Sequence, residues 1–141
     1  MNPADFLDIA DRLKSLPSEA GLRTSIGRSY YALYNVVHGS LSSEGIRLEG
    51  ARSDHVLLVY YLTKCNDRDA DKIGSALRDL HANRIDADYD MDVSINVDRS
   101  KLAYNLAQRM VTRFNALGLA GVQRIAQLIR YVPPPAPRSR T

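Results

Sequence analysis

The chain has 141 residues, of which 45% are apolar and 25% are charged, and this balance is typical of one soluble globular domain. It contains one cysteine and three histidines, which excludes an internal disulfide and a cysteine-based metal cluster. No apolar run approaches the roughly 18 residues needed to span a bilayer, and the N-terminus lacks the basic-then-apolar layout of a secretory signal. We therefore expect a cytoplasmic protein that needs no cofactor and does not enter a membrane.

Charge is distributed unevenly along the chain, although the net charge is only +3. All sixteen acidic residues lie at or before Asp98, where eleven basic residues accompany them and the net charge is −5. Residues 99–141 carry eight basic residues and no acid. This asymmetry indicates contact with an anionic partner such as RNA, or packing of the basic C-terminal helices against the acidic part or another subunit. The predicted nucleic-acid-binding residues are Lys101, Arg109, Arg113, Arg124 and Arg130.

Apolar residues recur at spacings of three and four, which predicts six helices in chain order. They are predicted at about residues 4–16, 18–42, 53–63, 69–89, 98–117 and 122–131. Asn2-Pro3 should start the first helix, and Ser53 should cap the third. The predicted apolar face of the second helix comprises Leu22, Ile26, Tyr30, Leu33, Val37 and Leu41. That of the fourth helix comprises Ile73, Ala76, Leu77, Leu80 and Ile85. That of the fifth helix comprises Leu102, Leu106, Met110 and Phe114.

The segments between these helices read as connectors. A loop with two glycines is expected at residues 43–52, and residues 90–96, "DMDVSIN", have some strand propensity. Gly118 and Gly121 should interrupt the helical pattern before residue 122. The predicted fold is an all-α antiparallel bundle of five to six helices over residues 1–131, followed by a mobile Pro/Arg-rich tail at 132–141.

Polar side chains are concentrated at the end of the fourth helix, in the segment "HANRIDADYD". His81, Arg84 and Asp88 share one face there, with Tyr89 beside it. The second helix carries two neighbouring stripes, of which one contains Tyr30 and the other Arg28 and Tyr31. We expect the two helices to pair face to face, with an Arg–Asp ion pair completed by tyrosine hydroxyls. Gly27 should mark a close approach, because a mid-helix glycine costs about 1 kcal/mol relative to alanine.

These two segments resemble the HEPN (higher eukaryotes and prokaryotes nucleotide-binding) domains of bacteria and archaea. Many members carry an R-x-x-YYA-like segment on one long helix and R-x-x-A-D-Y at the end of a later helix. The resemblance covers about residues 5–116. The matching residues are Arg28, Tyr30, Tyr31 and Ala32 in the first segment and Arg84, Ala87, Asp88 and Tyr89 in the second.

The resemblance implies a helical bundle that forms a homodimer or a higher homo-oligomer. Many HEPN proteins are metal-independent ribonucleases of toxin–antitoxin or phage-defence systems, and others are inactive partners of a nucleotidyltransferase. Active members carry a histidine four to six positions after an arginine, and two copies of this motif meet in the dimer. Histidine can move a proton near neutral pH, and arginine can hold a phosphate. This chain departs from the motif, because Asp90 lies six positions after Arg84 and no histidine follows an arginine at the required distance.

The leading hypothesis is a HEPN-like protein that binds or cleaves RNA. Arg84 would contact the phosphate, Arg28, Asp88 and Tyr89 would organise the site, and His81 would serve as the acid–base group. Two alternatives remain open: a non-catalytic HEPN module that binds a nucleotide or partners a nucleotidyltransferase or another defence-system protein, and a structural assembly subunit. Arg52 and His55 form a further candidate anion site at the start of the third helix. The same polar residues could also be a buried structural network.

Overall fold

The computed structural model describes residues 1–48 and 53–136. Within these ranges the chain forms six α-helices and no strand, so the predicted all-α bundle is confirmed. No helix of the described residues is long and apolar enough to cross a membrane. The helices are α1 (Asp5–Leu13), α2 (Glu19–Ser43), α3 (Asp54–Lys64), α4 (Arg68–Tyr89), α5 (Val97–Ala116) and α6 (Gly118–Arg130).

Helix α2 is the central element, and it packs against α1, α4, α5 and α6. All six residues of its predicted apolar face are buried, which confirms that prediction. Four helices begin with a side chain that accepts a hydrogen bond from a backbone N–H of the first turn. These caps are Ser18, Ser53, Asp67 and Asn96. The predicted cap Ser53 fixes the start of α3, which also fixes the position of His55 in its first turn.

Three of the four residues predicted for the apolar face of α5 contact the core, since Phe114 is buried and Leu106 and Met110 are partly buried. The prediction was wrong at Leu102, which is 69% exposed, and it missed the buried Ser100, Ala103, Ala107 and Val111. The serine and the two alanines are small because α5 lies directly against α2, and such side chains let two helices approach closely where leucine would hold them apart. On α4, Ile85 is exposed and does not belong to the buried stripe.

The connectors also differ from prediction. Helix α6 begins at Gly118, where φ is +63°, and continues through Gly121, so only the first of the two glycines interrupts the pattern. Residues 90–96 form no strand, although Ile95 is buried. In the predicted loop at 43–52, residues 49–52 lie outside the described part of the chain. In the predicted tail, Tyr60 Oη donates a hydrogen bond to the carbonyl of Pro133 at 2.9 Å, and residues 137–141 lie outside the described range.

One arginine of α2 holds the C-terminal end of α4. The last four carbonyl groups of a helix have no partner within the helix. The side chain of Arg23 is only 12% exposed, and its Nη1 donates to the carbonyls of Asp86, Ala87 and Asp90 at 3.0–3.1 Å. Its Nη2 donates to Glu19 and to the carbonyl of Val93. This network joins α2, the end of α4 and the connector to α5.

Replacing Arg23 with lysine should lower the free energy of unfolding by about 1–3 kcal/mol, because an ammonium group cannot reach the same set of carbonyls and leaves some of them without a donor. Urea denaturation should show this loss. The control is Arg12→Lys, at an exposed position of α1, which should change the unfolding free energy by less than about 0.5 kcal/mol. Equal midpoints for the two variants would contradict the proposed role of Arg23.

Helices α3 and α4 approach each other closely at Gly74. A Cβ atom there would lie 2.9 Å from Leu62 Cβ and 2.9 Å from Thr63 Cγ2. The predicted close approach at Gly27 was misplaced, because a Cβ at that position would lie at an ordinary 3.8 Å from Asp88 Oδ1. The glycine that brings two helices together is therefore on α4, and it sets the distance between α3 and α4.

We expect Gly74→Ala to destabilise the fold by about 1–3 kcal/mol, since neither α3 nor α4 can accommodate the methyl group without moving. Gly39→Ala is the matched control on α2, because no atom lies within 4 Å of its Cβ position. That control should stabilise the protein by up to about 1 kcal/mol through helix propensity. Thermal unfolding of both variants measures the difference, and a stabilised Gly74→Ala protein would contradict the close packing.

Candidate functional site

Two histidines meet where the start of α3 lies beside the last third of α4. The rings of His55 and His81 are stacked, with centroids 3.7 Å apart and an angle of 17° between their planes. Ser53 caps α3 and places His55 in its first turn, and the close packing at Gly74 brings α3 against α4. Both imidazoles are partly buried. No local sequence motif indicates this histidine pair, because its two residues belong to different helices.

Tyr30 of α2 completes the histidine pair from the core side. Its hydroxyl forms a 2.9 Å hydrogen bond with His55 Nδ1, and its ring lies 5.4 Å from that of His81. Tyr30 is only 3% exposed. Burial raises the pKa of Tyr30 above its ordinary range, so the hydroxyl stays protonated. The hydrogen bond uses Nδ1 of His55 and leaves Nε2 as the ring nitrogen that can meet a ligand.

Both histidines are held in the neutral form at pH 7. Burial, followed by the charges of His81 and Arg84, lowers the pKa of His55 to about 4. Burial and then Arg84 also lower the pKa of His81. Two stacked imidazoles cannot both carry a proton at low cost, because like charges this close repel. An anion that enters between the pair and Arg84 would oppose these effects and favour one proton on the pair.

Arg84 lies beside the histidine pair on α4, and 18% of its side chain is exposed. Its Nε lies 3.0 Å from Asp88 Oδ2, although that buried Nε lacks the geometry of a hydrogen bond. The guanidinium lies over the rings of Tyr31, at 5.2 Å, and Tyr89, at 5.7 Å. The expected packing of α2 against α4 is present, and the expected Arg–Asp ion pair forms between two residues of α4.

Arg28 occupies a neighbouring position on α2. Its guanidinium lies 5.3 Å from the ring of Phe6 and 5.6 Å from that of Tyr31. Arg28 and Arg84 therefore share Tyr31 as a common cation–π partner. The predicted candidates Arg28, Arg84 and Tyr89 thus form one continuous group of cations and aromatic rings.

The row of rings on α2 continues away from the histidine pair. Tyr34 stacks on Tyr30 with centroids 5.6 Å apart, and His38 lies 5.1 Å from Tyr34. His38 Nε2 lies 3.4 Å from a carboxylate oxygen of Asp54. Burial and then the charge of Asp54 raise the pKa of Tyr34 to about 12. The first turn of α3 therefore contacts α2 through two pairs, Tyr30–His55 and His38–Asp54.

The predicted nucleic-acid-binding residues do not form one free surface. Arg113 pairs with Asp69 at 2.8 Å and Arg124 with Asp67 at 3.0 Å. Burial alone would raise the pKa of Asp67, but its hydrogen bonds to Ala70 and Arg124 lower it. Arg130 donates to the carbonyl of Glu44, whereas Lys101 and Arg109 are exposed. These contacts agree with the interpretation that basic C-terminal helices pack beside acidic segments, and nucleic-acid binding by the five residues stays a prediction.

The histidine pair was not predicted from the sequence. His55 was linked to Arg52, which lies outside the described residues, and Tyr30 was placed on the α2 face expected to meet α4 but was not linked to His55. No spacing along the sequence indicates the contact between His55 and His81, because it joins two helices. Among the described residues, no group of three or more His, Cys, Asp or Glu side chains is arranged to hold a metal ion.

Comparison with known proteins gives one informative match. No family model matches the chain, and no solved structure matches it. The uncharacterized protein MJ0992 of Methanocaldococcus jannaschii is 33% identical over 113 residues, which cover 67% of this chain and 64% of the relative. The chain thus spans less than two thirds of that relative's length. The name of the relative states no activity, so the functional argument depends on the geometry of the site.

The lowered pKa of His55 predicts a pH-dependent stability. Between pH 6.5 and about 4 the unfolded chain binds a proton that folded His55 does not, so the free energy of unfolding should fall as the pH is lowered through this window. Urea unfolding at several pH values measures the decline. His55→Gln should make it shallower, since glutamine does not titrate. A decline of equal slope in the wild type and the variant would contradict the pKa assigned to His55.

Proposed function

We propose that the protein is a HEPN-like ribonuclease in which the His55–His81 pair and Arg84 cleave RNA without a metal ion, as an effector of a toxin–antitoxin or phage-defence system. The observation that carries this proposal is the stacked histidine pair, because it supplies two proton-transfer groups beside a cation. This chain lacks the histidine that the family motif places after the arginine, and the histidine pair would supply imidazoles beside Arg84 from other positions. The resemblance to HEPN domains supplies the setting.

The substrate would be bound through its scissile phosphate. The Nε of Arg84 faces the carboxylate of Asp88. The two terminal nitrogens of Arg84 would therefore donate hydrogen bonds to the non-bridging phosphate oxygens. Asp88 would hold the guanidinium in place. The Nε2 of His55 and both ring nitrogens of His81 have no hydrogen-bond partner among the described residues, so both rings can reach a ligand.

Cleavage would proceed by transfer of the phosphoryl group to the neighbouring 2′-hydroxyl. One neutral imidazole takes the proton of that hydroxyl, and the 2′-oxygen forms a bond to phosphorus. The bond from phosphorus to the 5′-oxygen breaks, and the leaving oxygen takes a proton from the other imidazole. The products are a 2′,3′-cyclic phosphate and a 5′-hydroxyl. The second imidazole would gain its proton when the phosphate binds, because the anion offsets the lowering of the histidine pKa by Arg84.

The assignment of acid and base follows from the hydrogen bonds of the two rings. The hydrogen bond with Tyr30 fixes the orientation of His55 and occupies its Nδ1, so this ring would transfer a proton through Nε2. His81 is held only by stacking and is placed beside Arg84 on the same helix. We assign His81 as the base, in agreement with the acid–base role predicted for it, and His55 as the acid.

A non-catalytic HEPN module is the second candidate function. The residue six positions after Arg84 is Asp90, and its contacts make it part of the helix end. Its carbonyl accepts from Arg23, and its side chain accepts from the backbone N–H of Asp92. Asp90 therefore does not take the role of the histidine in the family motif. If the pair is structural, the chain would bind a nucleotide or partner a nucleotidyltransferase without cleaving RNA.

The proposal predicts that purified protein cleaves labelled single-stranded RNA and tRNA in the presence of EDTA. His81→Gln and His55→Gln should each lower the rate by about 10²–10⁴-fold, since each removes a proton-transfer group. Arg84→Ala should also abolish most of the activity. Arg78→Ala is the matched control, because this arginine is exposed on the same helix, and it should leave the rate unchanged.

The folded state of each variant must be compared by circular dichroism and thermal unfolding. Cleavage by folded wild type but equally by folded His55→Gln would contradict the role of the pair. Absence of cleavage by the wild type, with a nucleotide or protein partner bound, would favour the non-catalytic module.

A further inference from the structure

A row of rings and guanidinium groups extends from the histidine pair across three helices. It contains Phe6 of α1, Arg28 and Tyr31 of α2, and Arg84 and Tyr89 of α4, which we call the aromatic–arginine row. Each guanidinium lies 5.2 to 5.7 Å from the centroids of two rings of the row, and that of Arg84 also lies 6.0 Å from the ring of Tyr30. Tyr31 also contacts Tyr30 at 5.0 Å, so the row is continuous with the group that holds His55.

The outer part of this row is too exposed to be core. Tyr89 is 68% exposed, whereas Tyr30 in the adjoining core is 3% exposed. One side of the Tyr89 ring meets Arg84, and its hydroxyl has no hydrogen-bond partner among the described residues. Phe6, at the other end of the row, is half-buried, and its ring lies 5.3 Å from the guanidinium of Arg28 and 6.4 Å from the ring of Tyr31. A tyrosine that buries so little contributes little to folding, so its exposed surface is free to meet a ligand.

We infer, on the basis of the proposed function, that the aromatic–arginine row is a base-binding subsite, where a single-stranded RNA stacks its bases on Tyr89 and Phe6 while its scissile phosphate lies at the histidine pair. Aromatic rings interleaved with cations are suited to single strands, because every base has a face that stacks and every linkage has a charge. A base in a duplex is already stacked on both faces and cannot use such a surface. The subsite therefore selects unpaired strands.

Stacking should contribute more to binding than charge. Asp88 offsets the charge of Arg84, and only two arginines belong to the row. Each phosphate neutralised on a single strand gives a slope of about −0.7 in the logarithm of affinity against the logarithm of salt concentration, so two contacts give roughly −1.4 at most. A steep dependence would instead indicate binding through the exposed basic residues of α5 and α6.

The test uses the absence of tryptophan from the sequence. Tyr89→Trp introduces a single fluorophore into the row, and a base that stacks on it should quench its emission. The probe is a short oligodeoxythymidine, which lacks the 2′-hydroxyl and is not cleaved by the proposed reaction. We expect saturable quenching by the single strand and little by a duplex of the same length. Tyr131→Trp is the matched control at an exposed tyrosine after α6 and should not respond.

A second measurement uses Tyr89→Ala. Its melting temperature should equal that of the wild type, its affinity for the fluorescein-labelled single strand should fall about tenfold, and in RNA cleavage KM should rise with kcat nearly unchanged. Equal quenching by duplex and single strand, or an unchanged affinity in Tyr89→Ala, would overturn the base-binding subsite even if RNA is cleaved. Quenching of Tyr89→Trp without any RNA cleavage would support the subsite and remove the ribonuclease proposal.

Discussion

The position of the candidate site depends on the contacts that Arg23 makes with the end of α4. A helix end needs donors for its last carbonyl groups, and α4 obtains several of them from one side chain of α2. Arg84 and Asp88 lie in the last two turns of α4, so their distance from α2 follows from this contact. Glu19 extends the constraint, because it accepts from Arg23 and from the backbone N–H of Ile95. The same network therefore sets the path of the chain into α5.

The second constraint is the close packing of α3 on α4, which forces two titratable rings together. At neutral pH the His55–His81 stack costs little, because both imidazoles are uncharged and the ring faces are apolar. Adding a proton is costly, because burial and then the charge of Arg84 lower the pKa of His81, and burial, His81 and Arg84 lower that of His55. An anion beside Arg84 would reverse this balance. A pair that is neutral when empty and accepts one proton with its ligand has the properties that acid–base catalysis requires.

The fold was predictable from the sequence to a greater extent than the site. Regular apolar spacing and short connectors indicate six helices, and all six residues predicted for the apolar face of α2 are buried, whereas the small buried residues Ser25, Ser29 and Ala32 were not predicted. The face of α5 was wrong at Leu102, because this leucine is more apolar than Ala103 but the close contact with α2 favours the smaller residue. Spacing along one helix brought together His81, Arg84 and Asp88. It could not bring His55 to His81, since that contact depends on the approach of α3 to α4 at Gly74, and the sequence marked Gly27 as the close approach instead.

In the proposed HEPN-like site, His81 would take the role that the family motif gives to a histidine after the arginine. In the family motif a histidine follows the arginine by four to six residues, which is about one helical turn or slightly more. Here His81 precedes Arg84 by three residues. Its imidazole therefore lies about one turn before Arg84 along α4, whereas the histidine of the family motif lies after the arginine. The continuation of α4 beyond Arg84 is occupied by contacts with Arg23, and a histidine at position 90 would lie at the helix end among these contacts. This position before Arg84 brings the imidazole toward α3, where the rings of His55 and Tyr30 lie beside it, and the proposed reaction depends on these contacts.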